Sequence, residues 1–279
     1  MTTVTIPTST PLSRPALRTT SITTSTVQVA KRVLLRFFRT PQLIVMGTAQ
    51  MGLFLFIYRY VLGGAVNPLA LHGTKYVDFL VPGFVSTGVL FSGIGAATGV
   101  ADDLQQGFVD RLRSLPVPRA SFLAGRALAD TLTGTWGLLV ATAVGFAVGF
   151  RPHGSIGDDL AAFGLCIVFA LAFEWMFIAI GLVGGTPQGA TGIAMVVFPL
   201  AFLSSSYVPV STMPGWLQVF AQHQPVTYMV DAVRALTLGP VAEASLGHST
   251  GYFVAWSLLW AAAAVAVFAP LAVSKYQRS

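Results

Sequence analysis

Long apolar runs alternate with short polar segments over most of this 279-residue chain. Each run is close to the roughly 20 residues that a helix needs to cross the hydrocarbon core of a bilayer. The pattern therefore predicts an all-α integral membrane protein. We place six spans near residues 43–62, 79–100, 127–149, 160–182, 189–207 and 250–273. Pro199 interrupts the fifth span, but a proline kink is tolerated inside a membrane bundle.

The polar break between the second and third spans carries seven of the 26 charged residues. Apolar side chains recur there at the spacing of one helix face, at Leu104, Phe108, Leu112 and Leu115. Pro116 and Pro118 would end that helix, because proline removes a donor and clashes with the preceding turn. The pattern predicts one short amphipathic helix over residues 101–115.

We expect a partner protein to push on this helix, since an amphipathic helix can lie in a groove through apolar anchors flanked by charges. The predicted contact residues are Asp102, Leu104, Gly107, Phe108, Arg111, Leu112, Arg113, Leu115 and Pro116. The alternative is an interfacial helix that binds only lipid headgroups.

The N-terminal region has two parts. Residues 1–25 are rich in Thr, Ser and Pro and lack an apolar stretch, which predicts a disordered cytoplasmic tail. From residue 26 to 39 the pattern is that of a basic amphipathic helix, with Arg32, Arg36 and Arg39 on one face. Such a helix lies in the membrane interface with its guanidinium groups on anionic headgroups; the alternative is a solvated cytosolic helix.

The segment between the fifth and sixth spans, near residues 207–250, contains two short apolar-periodic pieces that follow Pro214 and Pro225. We predict two short re-entrant helices that dip into the outer leaflet or cap the bundle. Backbone N–H and C=O groups at that depth must form hydrogen bonds with protein or water. Trp216 and Tyr228 suit the interfacial aromatic belt. The residues that mark this segment are Pro209, Pro214, Trp216, Pro225, Tyr228 and Arg234.

Composition supports a membrane location. The chain is 54% apolar and only 9% charged, with a mean hydropathy of +0.73, whereas soluble domains carry about 25% charged residues. The net charge of +6 then bears on orientation. With the N-terminus inside, 12 of the 16 Lys and Arg residues lie on the cytoplasmic side. We therefore expect a multi-pass protein of the cell membrane with both termini in the cytoplasm.

The sequence offers little catalytic chemistry. It has no phosphate-binding loop, and its four histidines fall in predicted outer loops without metal-ligand spacing. The single cysteine, Cys166, lies in an apolar run and is expected to be a small buried side chain. We expect no enzyme, no bound cofactor or metal, and no nucleic-acid partner.

Glu174 is the clearest ionisable residue inside a predicted span. A carboxylate at that depth costs about 2.5–3.5 kcal/mol on insertion scales. Two interpretations remain open: a functional group that faces the translocation path or a partner, or a carboxyl that hydrogen-bonds a neighbouring helix. Arg126 and Asp130, four residues apart in the third span, are expected to form a local pair.

Two separated motifs carry a resemblance to a known family. The first combines Pro82-Gly83, Gly107, Arg111-Leu112, Pro116 and Pro118-Arg119; the second combines Val208-Pro209, residues 213–217, residues 223–228 and Arg234. Together they resemble the permease subunits of ABC exporters of the second export type, and most closely the branch of the daunorubicin-resistance permeases. The similarity extends from about Val27 to Lys275.

The resemblance implies an elbow helix at residues 26–39, a coupling helix within residues 101–115 and re-entrant helices before the sixth span. It also implies a second permease, identical or homologous, and two copies of a separate ATPase subunit that bind ATP and Mg²⁺. The expected cargo is a hydrophobic or amphipathic compound: a drug, an antibiotic-like natural product or a lipid. Two other classes remain possible, a stand-alone proton-coupled carrier with Glu174 as the proton site, and a membrane scaffold or immunity protein that transports nothing.

Overall fold

The computed structural model describes residues 21–64, 74–113 and 119–278, and this part of the chain is helical with no strand. The α-helices, in chain order, are α1 (Ile22–Phe38), α2 (Pro41–Ile57), α3 (Tyr76–Gln105), α4 (Phe108–Arg113), α5 (Arg119–Ala147), α6 (Ile156–Gly184), α7 (Pro187–Ala194), α8 (Val197–Phe202), α9 (Gly215–His223), α10 (Pro225–Leu238), α11 (Pro240–Leu246) and α12 (Thr250–Arg278). A π-helical turn, Tyr58–Leu62, extends α2, and a 3₁₀ turn, Val210–Thr212, precedes α9. The predicted all-helical class is confirmed.

Five helical segments are long and apolar enough to cross a membrane: Ile44–Val61, Tyr76–Gln105, Ser121–Ala147, Ile156–Gly184 and Thr250–Arg278. They correspond to the first four and the last of the predicted spans. Within the described residues, the predicted fifth span at 189–207 is instead a shorter apolar segment made of α7 and α8. The sequence-based count of six full-length spans is therefore reduced to five plus this shorter segment.

Pro199 accounts for the break between α7 and α8. Proline has no N–H to give to the carbonyl of Met195, four residues earlier, and its ring crowds that carbonyl. Phe198 donates to the Met195 carbonyl instead, at 3.0 Å, which is the tighter i to i−3 pattern of a 3₁₀ turn. The kink that the sequence analysis expected at Pro199 is therefore a break between two separate helices, α7 and α8.

Helices α3 and α6 form the centre of the bundle, and α12, α5 and α10 pack around them. Helix α2 lies at the edge and leaves large apolar side chains uncovered, among them Leu53 and Phe56. In a bilayer such side chains contact lipid tails at no desolvation cost.

Different helices form the two ends of the bundle. One end carries α4, the start of α5 and the end of α12, where the rings of Phe122 and Tyr276 stack with centroids 5.6 Å apart. The other carries α9, α10 and α11, and the loop before α6 is tied to it because the His153 amide donates to the Thr237 carbonyl at 2.8 Å. The sequence-predicted short helices after Pro214 and Pro225 are confirmed as α9 and α10.

The N-terminal helix begins at Ile22, four residues before the predicted start at residue 26. Residues 22–25, which the sequence analysis assigned to a disordered tail, are therefore helical. Residues 1–20 lie outside the described part of the chain, as do Leu115 and Pro116 and the side chains of Leu112 and Arg113.

Candidate functional site

Helix α3 ends in a turn that requires glycine. The Gln106 amide donates to the Asp102 carbonyl at 2.9 Å and the Gly107 amide to the Leu104 carbonyl at 3.0 Å. Gly107 has a φ of +65°, a left-handed conformation that closes a helix C-terminus. Helix α4 then starts at Phe108. The prediction of one continuous helix over residues 101–115 is therefore wrong: Leu104 belongs to the end of α3 and Phe108 to a separate short helix.

The apolar side of α4 faces the protein itself. Val109 is buried, and the Phe108 ring lies 6.2 Å from the ring of Phe122 on α5. The guanidinium of Arg32 lies 3.6 Å from the centroid of the Phe108 ring, a cation–π contact. Arg111 is exposed and donates to the Gln106 carbonyl at 3.1 Å. Of the three α4 side chains that the structure describes, Phe108 and Val109 attach the helix to α1 and α5, and Arg111 is exposed.

Ion pairs join α1, α3 and α5 at this end of the bundle. Asp103 accepts from Arg32 at 3.0 Å and from Arg126 at 3.2 Å, and its side chain is 1% exposed. Arg126 also donates to Asp130 at 2.5 Å, which confirms the pair expected from their spacing. Nearer the surface, Arg36 donates to Asp102 at 3.1 Å. We call these six residues the charged junction: Arg32, Arg36, Asp102, Asp103, Arg126 and Asp130.

The structure revises the expected role of the arginines of α1. Arg32 and Arg36 bind carboxylates of α3, whereas the sequence analysis assigned all three arginines to lipid headgroups. Arg39 is exposed at the end of the helix. The sequence analysis also missed Asp103 as a site residue. Its position beside Asp102 at the polar end of a span was a signal, but its two partners come from 71 and 23 residues away.

Glu174 lies deep in α6, with 2% of its surface exposed. Its Oε2 atom has no hydrogen-bond partner among the described residues. Helix α6 packs against α5, the helix that carries Arg126 and Asp130. A simple packing role would provide a donor for this oxygen, since buried polar atoms are nearly always hydrogen-bonded.

A cavity of about 730 Å³ opens between α1, α3 and α5. All six residues of the charged junction line its inner end. Small residues such as Gly95 and Gly134 leave the space open further along, with Ser92 and Thr133 beside them. Glu174 is not among the residues that line this cavity. The cavity therefore has an ionic end and a mostly apolar body.

At the opposite end, Arg234 is buried on α10. It donates to Asp231 Oδ1 at 2.7 Å and to the carbonyls of Phe79 and Ser205 at 3.1 and 3.0 Å. Ser205 donates in turn to Asp231 at 2.7 Å. These hydrogen bonds fix α10 to the start of α3. The sequence analysis missed the Arg234–Asp231 pair, although the i, i+3 spacing of the two residues on one helix could have indicated it.

The other marker residues of this segment occupy varied positions. Tyr228, assigned to the interfacial belt, is instead buried, and its ring stacks on that of Trp256 at 5.5 Å. Trp216 is 78% exposed on α9. Pro209 precedes the 3₁₀ turn, Pro214 precedes α9 and Pro225 is the first residue of α10.

Comparison with known proteins identifies related sequences. The family model described as ABC-2 type transporter matches residues 24–238. A daunorubicin resistance ABC transporter permease protein, DrrB1, of Streptomyces coeruleorubidus is 32% identical over 228 residues, which cover 81% of this chain and 76% of that protein.

Two further relatives extend the comparison. A probable doxorubicin resistance ABC transporter permease protein, DrrC, of Mycobacterium tuberculosis is 30% identical over 233 residues, covering 81% of this chain and 79% of that protein. The inner membrane transport permease YadH of Escherichia coli is 25% identical over 242 residues, 80% of this chain and 90% of that protein. The similarity thus spans most of each chain.

Proposed function

Because this chain belongs to the ABC-2 type transporter family, we propose that it is the membrane-spanning permease subunit of an ATP-driven exporter. It would move a hydrophobic or amphipathic compound out of the cell: a drug, an antibiotic-like natural product or a lipid. The names of the daunorubicin- and doxorubicin-resistance relatives favour a drug-like cargo. The scarcity of charged residues in the spans also favours a cargo that does not need strong hydration.

The energy would come from two copies of a separate ATPase subunit, which would bind ATP and Mg²⁺, and a second permease, identical or homologous, would complete the passage. The assembly would lie in the cell membrane. The end that carries α4 would face the cytoplasm, in keeping with the bias of Lys and Arg residues predicted for that side.

The attachment of α4 is the observation that carries this proposal. Only the Gln106–Gly107 turn separates α4 from α3, and Val109 and Phe108 anchor it to α1 and α5. The Asp103 ion pairs join the same three helices. A force applied to α4 on the side of the exposed Arg111 would therefore move these helices together, because a packed core is not continuously deformable.

A charge-reversed α4 tests this mechanism. The permease is co-expressed with its candidate ATPase, and two quantities are measured: copurification of the ATPase, and ATP-dependent uptake of drug into inverted membrane vesicles. The double variant Arg111→Glu, Leu112→Asp is expected to lower both by about tenfold or more. The matched control is Arg278→Glu, which reverses an exposed charge at the end of α12, at the same end of the bundle.

Full copurification and uptake in the double variant would reject α4 as the docking surface. Transport by the purified chain without nucleotide or a second subunit would reject the ATP-driven mechanism and favour the proton-coupled carrier, in which Glu174→Gln would then abolish movement down a pH gradient.

A further inference from the structure

One face of α1 forms a shallow groove of about 520 Å³, which we call the basic groove. Four cations line it, Lys31, Arg32, Arg36 and Arg39, and Leu35 lies between them. These positions recur at steps of three and four residues, so the helix brings them to one side. Among the described residues, no carboxylate lines the groove. Its own walls therefore carry charge of one sign.

The ion pairs of the charged junction neutralise only part of this charge. Arg32 pairs with a buried aspartate of α3. Among the described residues, the Arg36 side chain donates only to Asp102, through Nη2, and it is 60% exposed, so its other N–H groups are available. Lys31 and Arg39 are exposed, and neither forms an ion pair with a described residue. One arginine thus holds the bundle together, and three cations can bind a ligand.

The basic groove borders an apolar stripe on the same helix. Val27, Leu35 and Phe38 are 60%, 43% and 55% exposed, whereas Val29 and Ala30 on the other side of α1 are buried. Cations beside exposed apolar side chains are typical of a helix in the membrane interface, where the apolar groups contact acyl chains and the cations reach headgroup phosphates. A soluble acidic ligand would neutralise the cations and leave the apolar stripe in water. The combination therefore favours a lipid.

We propose that the basic groove binds the headgroup of an anionic phospholipid. Its phosphate would lie between Arg36 and Arg39, which are neighbours three residues apart on the helix surface, and Lys31 would add a third positive charge. Its acyl chains would lie along Leu35 and Phe38. Arginine binds phosphate oxygens through paired N–H groups, and lysine acts as a point charge. This inference goes beyond the proposed function, because the lipid is neither the cargo nor the energy source.

Two lipids with the same acyl chains and different headgroup charge test this site. Dioleoyl phosphatidylglycerol, which is anionic, and dioleoyl phosphatidylcholine, which has no net charge, are added in equal amounts to the purified chain in a neutral detergent. Bound lipids are counted by native mass spectrometry. We expect at least tenfold more bound phosphatidylglycerol. This lipid should also raise the thermal unfolding temperature, because a ligand that binds the folded state stabilises it.

Two double variants assign that preference to the proposed residues. Lys31→Gln, Arg39→Gln should lower it about tenfold or more, since each cation contributes about fivefold in affinity for an anionic lipid. Without lipid its unfolding temperature should match that of the wild-type chain, because neither side chain pairs with a described carboxylate. The matched control is Lys75→Gln, Arg151→Gln, which removes two exposed cations near the end that carries α10 and should keep the preference.

Equal binding of the two lipids by the wild-type chain would overturn the proposal. So would an equal loss of preference in both double variants, because net charge rather than the basic groove would then select the lipid. If the variant at Lys31 and Arg39 keeps its lipid preference but loses ATPase copurification, the groove binds an acidic protein surface and the lipid site is wrong. ATP-driven export is tested separately, by the α4 variant, and does not depend on these outcomes.

Discussion

Asp102 and Asp103 are neighbours in sequence but differ in their surroundings. Asp103 is almost completely buried between Arg32 and Arg126, whereas Asp102 is 27% exposed and its partner Arg36 is 60% exposed. Removal of one partner from a buried ion pair costs about 3–5 kcal/mol, because it leaves an uncompensated charge. Exposed pairs contribute about 0–1 kcal/mol. Burial therefore decides which of the two aspartates stabilises the junction.

We accordingly predict that Asp103→Asn lowers the free energy of unfolding by about 3 kcal/mol, and Asp102→Asn by less than about 1 kcal/mol. Thermal and denaturant unfolding of the two purified variants in the same detergent would measure the difference. The variants are matched, since each replaces one carboxylate by an amide in the last turns of α3. Equal losses would mean that the Asp103 pairs add nothing beyond a surface contact.

The sequence indicated part of this junction and not the rest. Arg126 and Asp130 were predicted to pair because a helix places residues four apart on one face. The partners of Asp103 come from two other helices, and no local pattern reports which helices will meet. Glu174 was identified because a charge in an apolar run is rare, but its proximity to Arg126 depends on how α6 packs against α5.

At the level of elements, the turn between α3 and α4 depends on one backbone conformation. A left-handed residue other than glycine costs roughly 1–2 kcal/mol. A Cβ added at Gly107 would meet no atom within 4 Å, so the cost would come from the backbone alone.

We predict that Gly107→Ala lowers the free energy of unfolding by about 1–2 kcal/mol and also reduces ATPase copurification, because α4 is no longer held in one orientation. The control is Gly164→Ala, in open space within α6, which should be neutral or stabilise by about 0.5–1 kcal/mol. Unfolding curves and copurification yields test both variants. No difference between the two substitutions would contradict a conformational role for Gly107.

Helix α1 approaches α5 through a second glycine. A Cβ added at Gly125 would lie 2.6 Å from the Thr26 carbonyl oxygen and 2.8 Å from Val29 Cβ, so the helices would have to separate. We predict that Gly125→Ala destabilises the chain by about 1–3 kcal/mol and makes α1 more sensitive to protease. Gly137→Ala on the same helix, with nothing within 4 Å, is the control. Unchanged protease sensitivity of α1 in the Gly125 variant would show that the close approach at Gly125 is not what holds α1 against α5.

Helix periodicity predicted α9 and α10 correctly and missed the break between α3 and α4 at Gln106–Gly107. Pro214, just before α9, and Pro225, the first residue of α10, are strong local signals, because proline is compatible with a helix start. At the α3–α4 turn, Leu104 and Phe108 keep the spacing of a continuous helix, and only Gly107 between them marks the break. A single glycine inside a periodic segment is tolerated in many helices, so the period alone cannot distinguish a turn from a continuous helix.

At the level of the whole molecule, the orientation of the protein in the membrane can be tested at the two ends of the bundle. Residues near Gln277 belong to the end that carries α4, and His153 belongs to the end that carries α10. The excess of Lys and Arg predicted for the first end leads us to expect that end in the cytoplasm. Both positions are exposed, and the single native thiol, Cys166, is buried and can be replaced by alanine to remove background labelling.

We predict that His153→Cys in the Cys166→Ala background reacts with a membrane-impermeant maleimide in intact cells, and that Gln277→Cys reacts only after the membrane is permeabilised. The two variants are each other's control for expression and reagent quality. If Gln277→Cys is labelled in intact cells, the end with α4 faces the outer medium, where no ATP-hydrolysing subunit could reach it. A force-bearing role for α4 would then be impossible, because the energy for closure of an ATPase dimer is available only on the cytoplasmic side.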